Sequence, residues 1–274
     1  MRVTDFEIYR GMFREKSGLA LEPDQSSLLD SRLTPVARKW GYSSLDALTA
    51  SLHGLPDEKL VLDVVDAIMP GDTSFFRDTW PFHTFSKEIL DFLRGARAKQ
   101  KKIKIWCAGA ATGQEPYSTC FAFKEHGTDF GGWKFEVLAT DISRGALKLA
   151  EAGLYTQSET QRGLPARMLL KYFKQNDEGH WQVNSDIRKM IRFQSFNLLD
   201  NMAALGKFDV IFCRNVLSNF EGAAREKTLE KLSRQLEKDG FLVLGRGEKA
   251  DEGLWRTVHE GRSIYALKDG PIKA

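Results

Sequence analysis

Apolar residues recur at helical spacing over the first seventy positions. Phe6, Tyr9 and Phe13 share one face of a helix that Gly18 ends, and Thr4 with Glu7 gives a capping-box pattern at its start. Leu28, Leu29, Leu33, Val36 and Trp40 predict a second helix stopping at Gly41, with Pro35 placed to kink or split it. Ser44 is placed to cap a third, carrying Leu45, Leu48 and Leu52. Pro56 opens a fourth, with Leu60, Val61, Val64, Val65 and Ile68, which Pro70-Gly71 breaks. A longer amphipathic helix over 81–97 sets Phe82, Phe85, Ile89, Phe92 and Leu93 on one side.

From residue 103 the period changes. Strands are expected at 103–107, 135–140, 191–196, 208–213, 241–244 and 264–267. Helices are expected at 115–125, 143–152, 223–237 and within 165–173. Such alternation predicts an α/β fold with a doubly wound, mostly parallel sheet. Residues 155–190 break the rhythm, and Gly179-His180-Trp181-Gln182-Val183 reads as a turn and short strand of a small inserted β-subdomain. The expected organisation is a helical N-terminal domain (1–70), a linker helix region (71–102) and an α/β domain (103–274).

The 274 residues, 42% hydrophobic and 28% charged, can bury a sizeable core, which excludes disordered and collagen-like classes. No apolar run nears the ~18 residues of a membrane helix, and MRVTDFEIYR lacks the apolar core of a secretory leader, so the cytoplasm is expected. Cys107, Cys120 and Cys213 are odd in number and show no CxxC spacing, which argues against a disulfide framework or structural zinc. Residues 1–70 carry 8 Lys+Arg against 11 Asp+Glu, and the remainder 32 against 26. The overall +3 is no nucleic-acid footprint, though a local basic patch can still meet an acidic protein.

In a doubly wound sheet, ligands sit beyond the carboxyl ends of the strands. Four segments bring polar residues there. The first, 105–118, runs from a strand through small residues into a helix with Pro116 in its first turn; it is neither GxGxxG nor a phosphate loop with lysine. Glu115 suits a cationic or hydroxylated ligand, unless the segment is a plain tight turn. The second ends in Asp141, a position that accepts ribose hydroxyls in nucleoside-binding sheets or else caps a helix, a task Ser143 can take over. The third carries Asn197, whose amide suits an adenine edge but is also common in loops. The fourth, 208–216, delivers Arg214 and Asn215 at the end of an apolar strand. Upstream, Phe75 and Phe76 beside Arg77 are placed to pack the helical segment on the sheet. His53, His83, His126, His180 and His259 share no motif and read as structural or surface groups.

These segments in order, TSFFRD, WCAGAATGQEPYS, ATDIS, FNLLD and FDVIFCRNV, resemble the CheR family of chemotaxis-receptor glutamate methyltransferases over nearly the whole chain. The resemblance implies a class I, Rossmann-like methyltransferase sheet using S-adenosyl-L-methionine and leaving S-adenosyl-L-homocysteine, with no metal. It implies methyl-ester formation on glutamates of the cytoplasmic helices of chemoreceptors, as in chemotactic adaptation. It points to Thr73, Arg77, Glu115, Asp141, Asn197, Leu198, Arg214 and Asn215 around the cofactor. Arg77 is the expected positioner of the cofactor carboxylate or the incoming glutamate. Arg32, Arg38 and Lys39 are either the basic face that meets receptor helices or a solvated helix surface. No nucleic acid, no membrane insertion and a monomeric chain are expected. Residues 155–190 occupy the place of the subdomain with which some members dock a receptor tether.

Three positions depart from the family pattern: Gly71 where Asn is usual, Gln114 where Glu is usual, and Asn219 where a Tyr near the reacting centre is usual. Loss of the phenol is expected to lower or retarget activity. Gly71 and Asn219 also leave open a non-catalytic module that binds receptors or S-adenosyl-L-methionine. A methyltransferase of the same fold acting on RNA is disfavoured by the lack of a basic stripe.

Overall fold

A computed structural model describes residues 3–126, 130–259 and 261–271, with side chains from Asp5 onward. Four helices open the chain: Val3–Ser17, Ser26–Lys39, Leu45–Ser51 and Glu58–Ile68. Gly18 ends the first in a left-handed conformation (φ 76°). The Thr4 half of the expected capping box lies outside the described side chains. Ser44 Oγ accepts from Ala47 N at 3.1 Å and Asp57 Oδ1 from Lys59 N at 2.7 Å, so each cap satisfies an amide the helix leaves open. Pro35 neither kinks nor splits the second helix enough to divide it; the run is unbroken with Pro35 on its exposed side. Tyr9, Phe13, Leu29, Leu33, Leu48 and Val64 form the solvent-free centre of the bundle.

The run expected at 81–97 is helical from Trp80 to Ala96 but contains a π-helical turn, Phe85–Ile89. That turn shifts the phase of the stripe. Phe82, Phe85, Ile89 and Leu93 are buried, while Phe92 stays 39% exposed and meets Phe241 edge-on at 5.5 Å.

Ten strands follow among the described residues: β1 Lys102–Ala108, β2 Lys134–Asp141, β3 Leu154–Tyr155, β4 Phe173–Gln175, β5 Trp181–Val183, β6 Ile191–Ser195, β7 Phe208–Cys213, β8 Leu236–Leu244, β9 Trp255–His259 and β10 Ile264–Leu267. Seven make one sheet in the order β6-β2-β1-β7-β8-β10-β9, parallel from β6 through β8 and antiparallel across β10 and β9. This is the expected doubly wound α/β fold. β7 (FDVIFC) is wholly buried, as a parallel strand covered on both faces requires. The strand β9 is absent from the sequence reading; WRTVH is a mixed edge strand that lacks a continuous apolar run. β1 leads to β2 and β6 on one side and pairs with β7 on the other, so the crevice between the ends of β1 and β7 is a switch point.

β3, β5 and β4 form a separate antiparallel sheet. It packs on the main sheet through Phe75, whose ring lies 5.0 Å from Tyr155 and 5.7 Å from Phe173. Tyr155 Oη donates to Thr112 O at 2.7 Å, linking it to the turn after β1. At the opposite, amino end of the sheet, Arg97 ties Asp209 (2.6 Å) to Asp239 (2.7 Å).

Candidate functional site

One cavity lies at the switch point. It encloses about 880 Å³ of empty space including its solvent mouth. Thr73, Arg77, Glu115, Asp141, Asn197, Leu198, Arg214, Asn215 and Asn219 all line it. They come from 69–77, from the ends of β1, β2, β6 and β7, and from the helix that follows β1. Ser17 and Leu19 add a wall from the bundle. Arg32, Arg38 and Lys39 lie elsewhere, exposed on the second helix. Lys39 Nζ bonds Asp63 at 2.8 Å and Arg32 reaches Ala67 O at 3.4 Å, so two of the three cations lean on the fourth helix.

Arg214 is the buried centre. Its guanidinium donates to Glu115 Oε2 (2.9 Å), Asp78 Oδ2 (2.7 Å) and Arg77 O (2.8 Å), and stands 5.5 Å from the centre of the Phe82 ring. It therefore holds Glu115 and the 72–78 segment. Its end and the residue after it are strained: Phe76, Asp78 and Thr79 have φ of 49°, 65° and 54°. Burial raises the Glu115 carboxyl above its ordinary range, although Arg214 pulls the other way. A cationic ligand is favoured beside such a group because it compensates lost hydration.

Asp141 is raised as well, by burial first, with bonds from Ser143 N and Ala111 N (both 2.8 Å) opposing. Ser143 does cap the next helix, accepting from Ala146 N at 3.0 Å. Asp141 is nevertheless engaged, since it holds the turn after β1 while lining the cavity. Asn197, expected beside the adenine, lines the cavity with its amide engaged within the protein. Its Nδ2 donates to Lys16 O at 2.6 Å and its Oδ1 accepts from Leu199 N at 3.0 Å. The amide latches the bundle to the sheet. Leu19 forms a bridge with Phe220, and Ala20 N donates to Asn219 O at 2.8 Å. Residues 16–20 thus strap across the end of β7. The Asn219 side chain donates to Asn215 O at 3.1 Å. Gly71 is exposed, and a Cβ there would meet open space.

The lining fits S-adenosyl-L-methionine. Arg214 Nε is buried without a partner, and Arg77, which donates to Asp72 O at 2.7 Å and stands 3.8 Å from the Asp72 carboxylate, keeps further donors for a ligand carboxylate. Acidic Glu115 and Asp141 suit an ammonium group and ribose hydroxyls, and Leu198 and Phe196 offer apolar walls. None of the five histidines lines the cavity, and the described residues hold no group able to ligate a metal. The three cysteines are buried thiols. No described helix is long and apolar enough to cross a membrane.

Residues 71–261 match the family model described as CheR methyltransferase, SAM binding domain. The chain is 36% identical over 251 residues to chemotaxis protein methyltransferase 1 of Pseudomonas aeruginosa, covering 89% of each protein. It is 35% identical over 248 residues to chemotaxis protein methyltransferase Cher2 of Pseudomonas putida, covering 89% of this chain and 90% of that one. A chemotaxis protein methyltransferase of Vibrio parahaemolyticus is 31% identical over 246 residues, covering 89% and 88%.

Proposed function

The chain belongs to the CheR methyltransferase family and is an S-adenosyl-L-methionine-dependent methyltransferase, and from that premise we propose that it forms methyl esters on glutamates of chemoreceptor cytoplasmic helices. The observation that carries this reading is the cavity in which four strand ends and the 69–77 segment place three carboxyls and two arginines together.

When bound, the cofactor supplies an electrophilic methyl group on a sulfonium leaving group. Asp141 holds the ribose hydroxyls, Glu115 the ammonium group, and Arg77 the cofactor carboxylate or the incoming glutamate. Leu198 gives the adenine an apolar face, while Asn197 acts on it through the strap it latches. Arg214 keeps Glu115 and Asp78 in place. A glutamate carboxylate, with a pKa of about 4.3, is already ionised at neutral pH and needs no base from the protein. The residues' task is alignment, which can supply roughly 7–11 kcal/mol of the barrier, together with exclusion of water. The lack of a histidine in the cavity agrees with that.

The same reading keeps the division into 1–70, 71–102 and 103–274, acting as a monomer in the cytoplasm. The bundle presents Arg32, Arg38 and Lys39 to acidic receptor helices. No finding favours the non-catalytic alternative. The test is methyl transfer from labelled S-adenosyl-L-methionine to chemoreceptor-bearing membranes. Base-labile label on receptor bands is expected, because alkali releases methanol from carboxyl esters and not from N-methyl groups. No label, with a known CheR enzyme active on the same membranes, refutes the proposal.

A further inference from the structure

Beyond β8 the chain turns at Gly245 and returns Glu248 beneath the loop that follows β7. Glu248 is 6% exposed and does not line the cavity. Its Oε2 accepts from Asn215 N (2.8 Å) and Gly245 N (2.7 Å), and its Oε1 from Ser218 N (2.8 Å). No Lys, Arg or His among the described residues stands within ion-pair distance of it. A buried carboxylate without a cation is costly, and here three amide donors replace water. Two of those donors, Asn215 and Ser218, lie on the short loop after β7, whose Asn215 is held at φ 57°, and the third, Gly245, on the turn after β8. The loop's Asn215, Val216, Asn219 and Phe220 are cavity wall. Gly245 completes the cradle: a Cβ there would lie 2.7 Å from Asn215 N and 2.8 Å from Glu248 Oε2.

We propose that Glu248 is a positioning residue for methyl transfer, fixing the loop after β7 against the cofactor cavity; this rests on the reading of that cavity given above. The carboxylate bridges the loop after β7 and the turn after β8, and it acts through the backbone of Asn215 and Ser218. Glu248→Gln keeps the shape but turns an NH2 toward amide donors, so the loop must move. Displacement by about 1 Å is enough to cost a reaction of this kind on the order of 100-fold.

The test compares Glu248→Gln and Glu248→Asp with Arg97→Lys, which weakens the amino end of the sheet. For each full-length chain, the melting temperature, the Kd for S-adenosyl-L-homocysteine, and kcat and KM for receptor methylation are measured. Glu248→Gln is expected to lower kcat about 10- to 100-fold, with receptor KM changed less than about threefold. Glu248→Asp recovers part of the loss. Arg97→Lys, at a comparable loss of melting temperature, keeps kcat within about twofold. If Glu248→Gln does not fold, Glu248→Asp carries the same comparison, with a fall in kcat expected at unchanged receptor KM. A folded Glu248→Gln chain with kcat within about twofold of wild type overturns the proposal, as does an unchanged kcat in Glu248→Asp where the Gln chain does not fold. So does an Arg97→Lys chain that loses kcat in step with its melting temperature. A wild-type chain that transfers no methyl group overturns the reading of the cavity and this proposal with it.

Discussion

Gly163→Ala isolates what the small sheet does for the cavity. Gly163 has φ 88°, and a Cβ built on it would sit 2.1 Å from the carbonyl oxygen of Phe75. A left-handed alanine costs about 1–2 kcal/mol by itself. The clash requires a further movement of roughly 1 Å in a backbone whose side chain is fully buried among Phe121, Tyr155 and Phe173. Overpacking of that kind adds about 1–3 kcal/mol. Gly179→Ala supplies the reference, because φ is 81° there and the nearest atom is the flexible end of Gln175 at 4.0 Å. It bears the conformational cost alone. At about 2–4 °C per kcal/mol, thermal unfolding should fall by roughly 2–8 °C for Gly179→Ala and about twice that for Gly163→Ala. Phe75 lies between Thr73 and Arg77, so Gly163→Ala should also weaken S-adenosyl-L-homocysteine binding by calorimetry, and Gly179→Ala should not. Equal melting temperatures for the two variants would refute the clash; unaltered ligand affinity in Gly163→Ala would refute the link to the cavity.

Burial pushes the Glu125 carboxyl up, but hydrogen bonds from Lys171, Tyr172 and Arg167 outweigh it and hold the group at about 2. A depressed carboxylate contributes stability above its unfolded pKa and loses it as pH falls toward the folded value. With Arg167 and Lys171 largely exposed, screening leaves about 1–2 kcal/mol. Glu125→Gln should therefore melt a few degrees lower at pH 7, and the gap should narrow between about pH 5 and 3; a constant gap counts against this. Asn219→Tyr restores a phenol to the cavity wall and should raise the rate of receptor methylation, so an unchanged or lower steady-state rate would sink the idea. Charge reversal at Arg32, Arg38 and Lys39 should raise receptor KM several-fold and leave cofactor Kd alone; an unchanged KM marks a merely solvated face.

The cavity's strand-derived lining was legible because local patterns wrote it. Apolar FDVIFC ending in Arg214, and a strand ending in Asp141, place polar groups at carboxyl ends wherever a parallel sheet forms. What stayed hidden depends on distant partners. Glu248 is one acid in a polar stretch until Asn215, Gly245 and Ser218 point their amides at it. Asn197 looked like a ligand reader because its partner, Lys16 O, lies 181 positions away. The left-handed Phe76, Asp78 and Thr79 carry no glycine to announce them. β9 lacked periodicity because one of its edges is unpaired, which relaxes the demand for apolar residues. The π turn at Phe85–Ile89 shifted a helical stripe that a strict 3.6 period cannot follow.

The strap of residues 16–20 has a consequence for how the protein is made. Its anchors, Asn197 and Asn219 to Glu221, are synthesised some 200 residues later. At about 5–20 residues per second, that interval is roughly 10–40 s. The helical bundle has local contacts to form meanwhile, yet its first turn-out waits for a strand end still inside the ribosome. A truncated or stalled chain thus holds most of the apolar framework without a closed cofactor wall. The cofactor wall therefore closes only after residues 219–221 have been made.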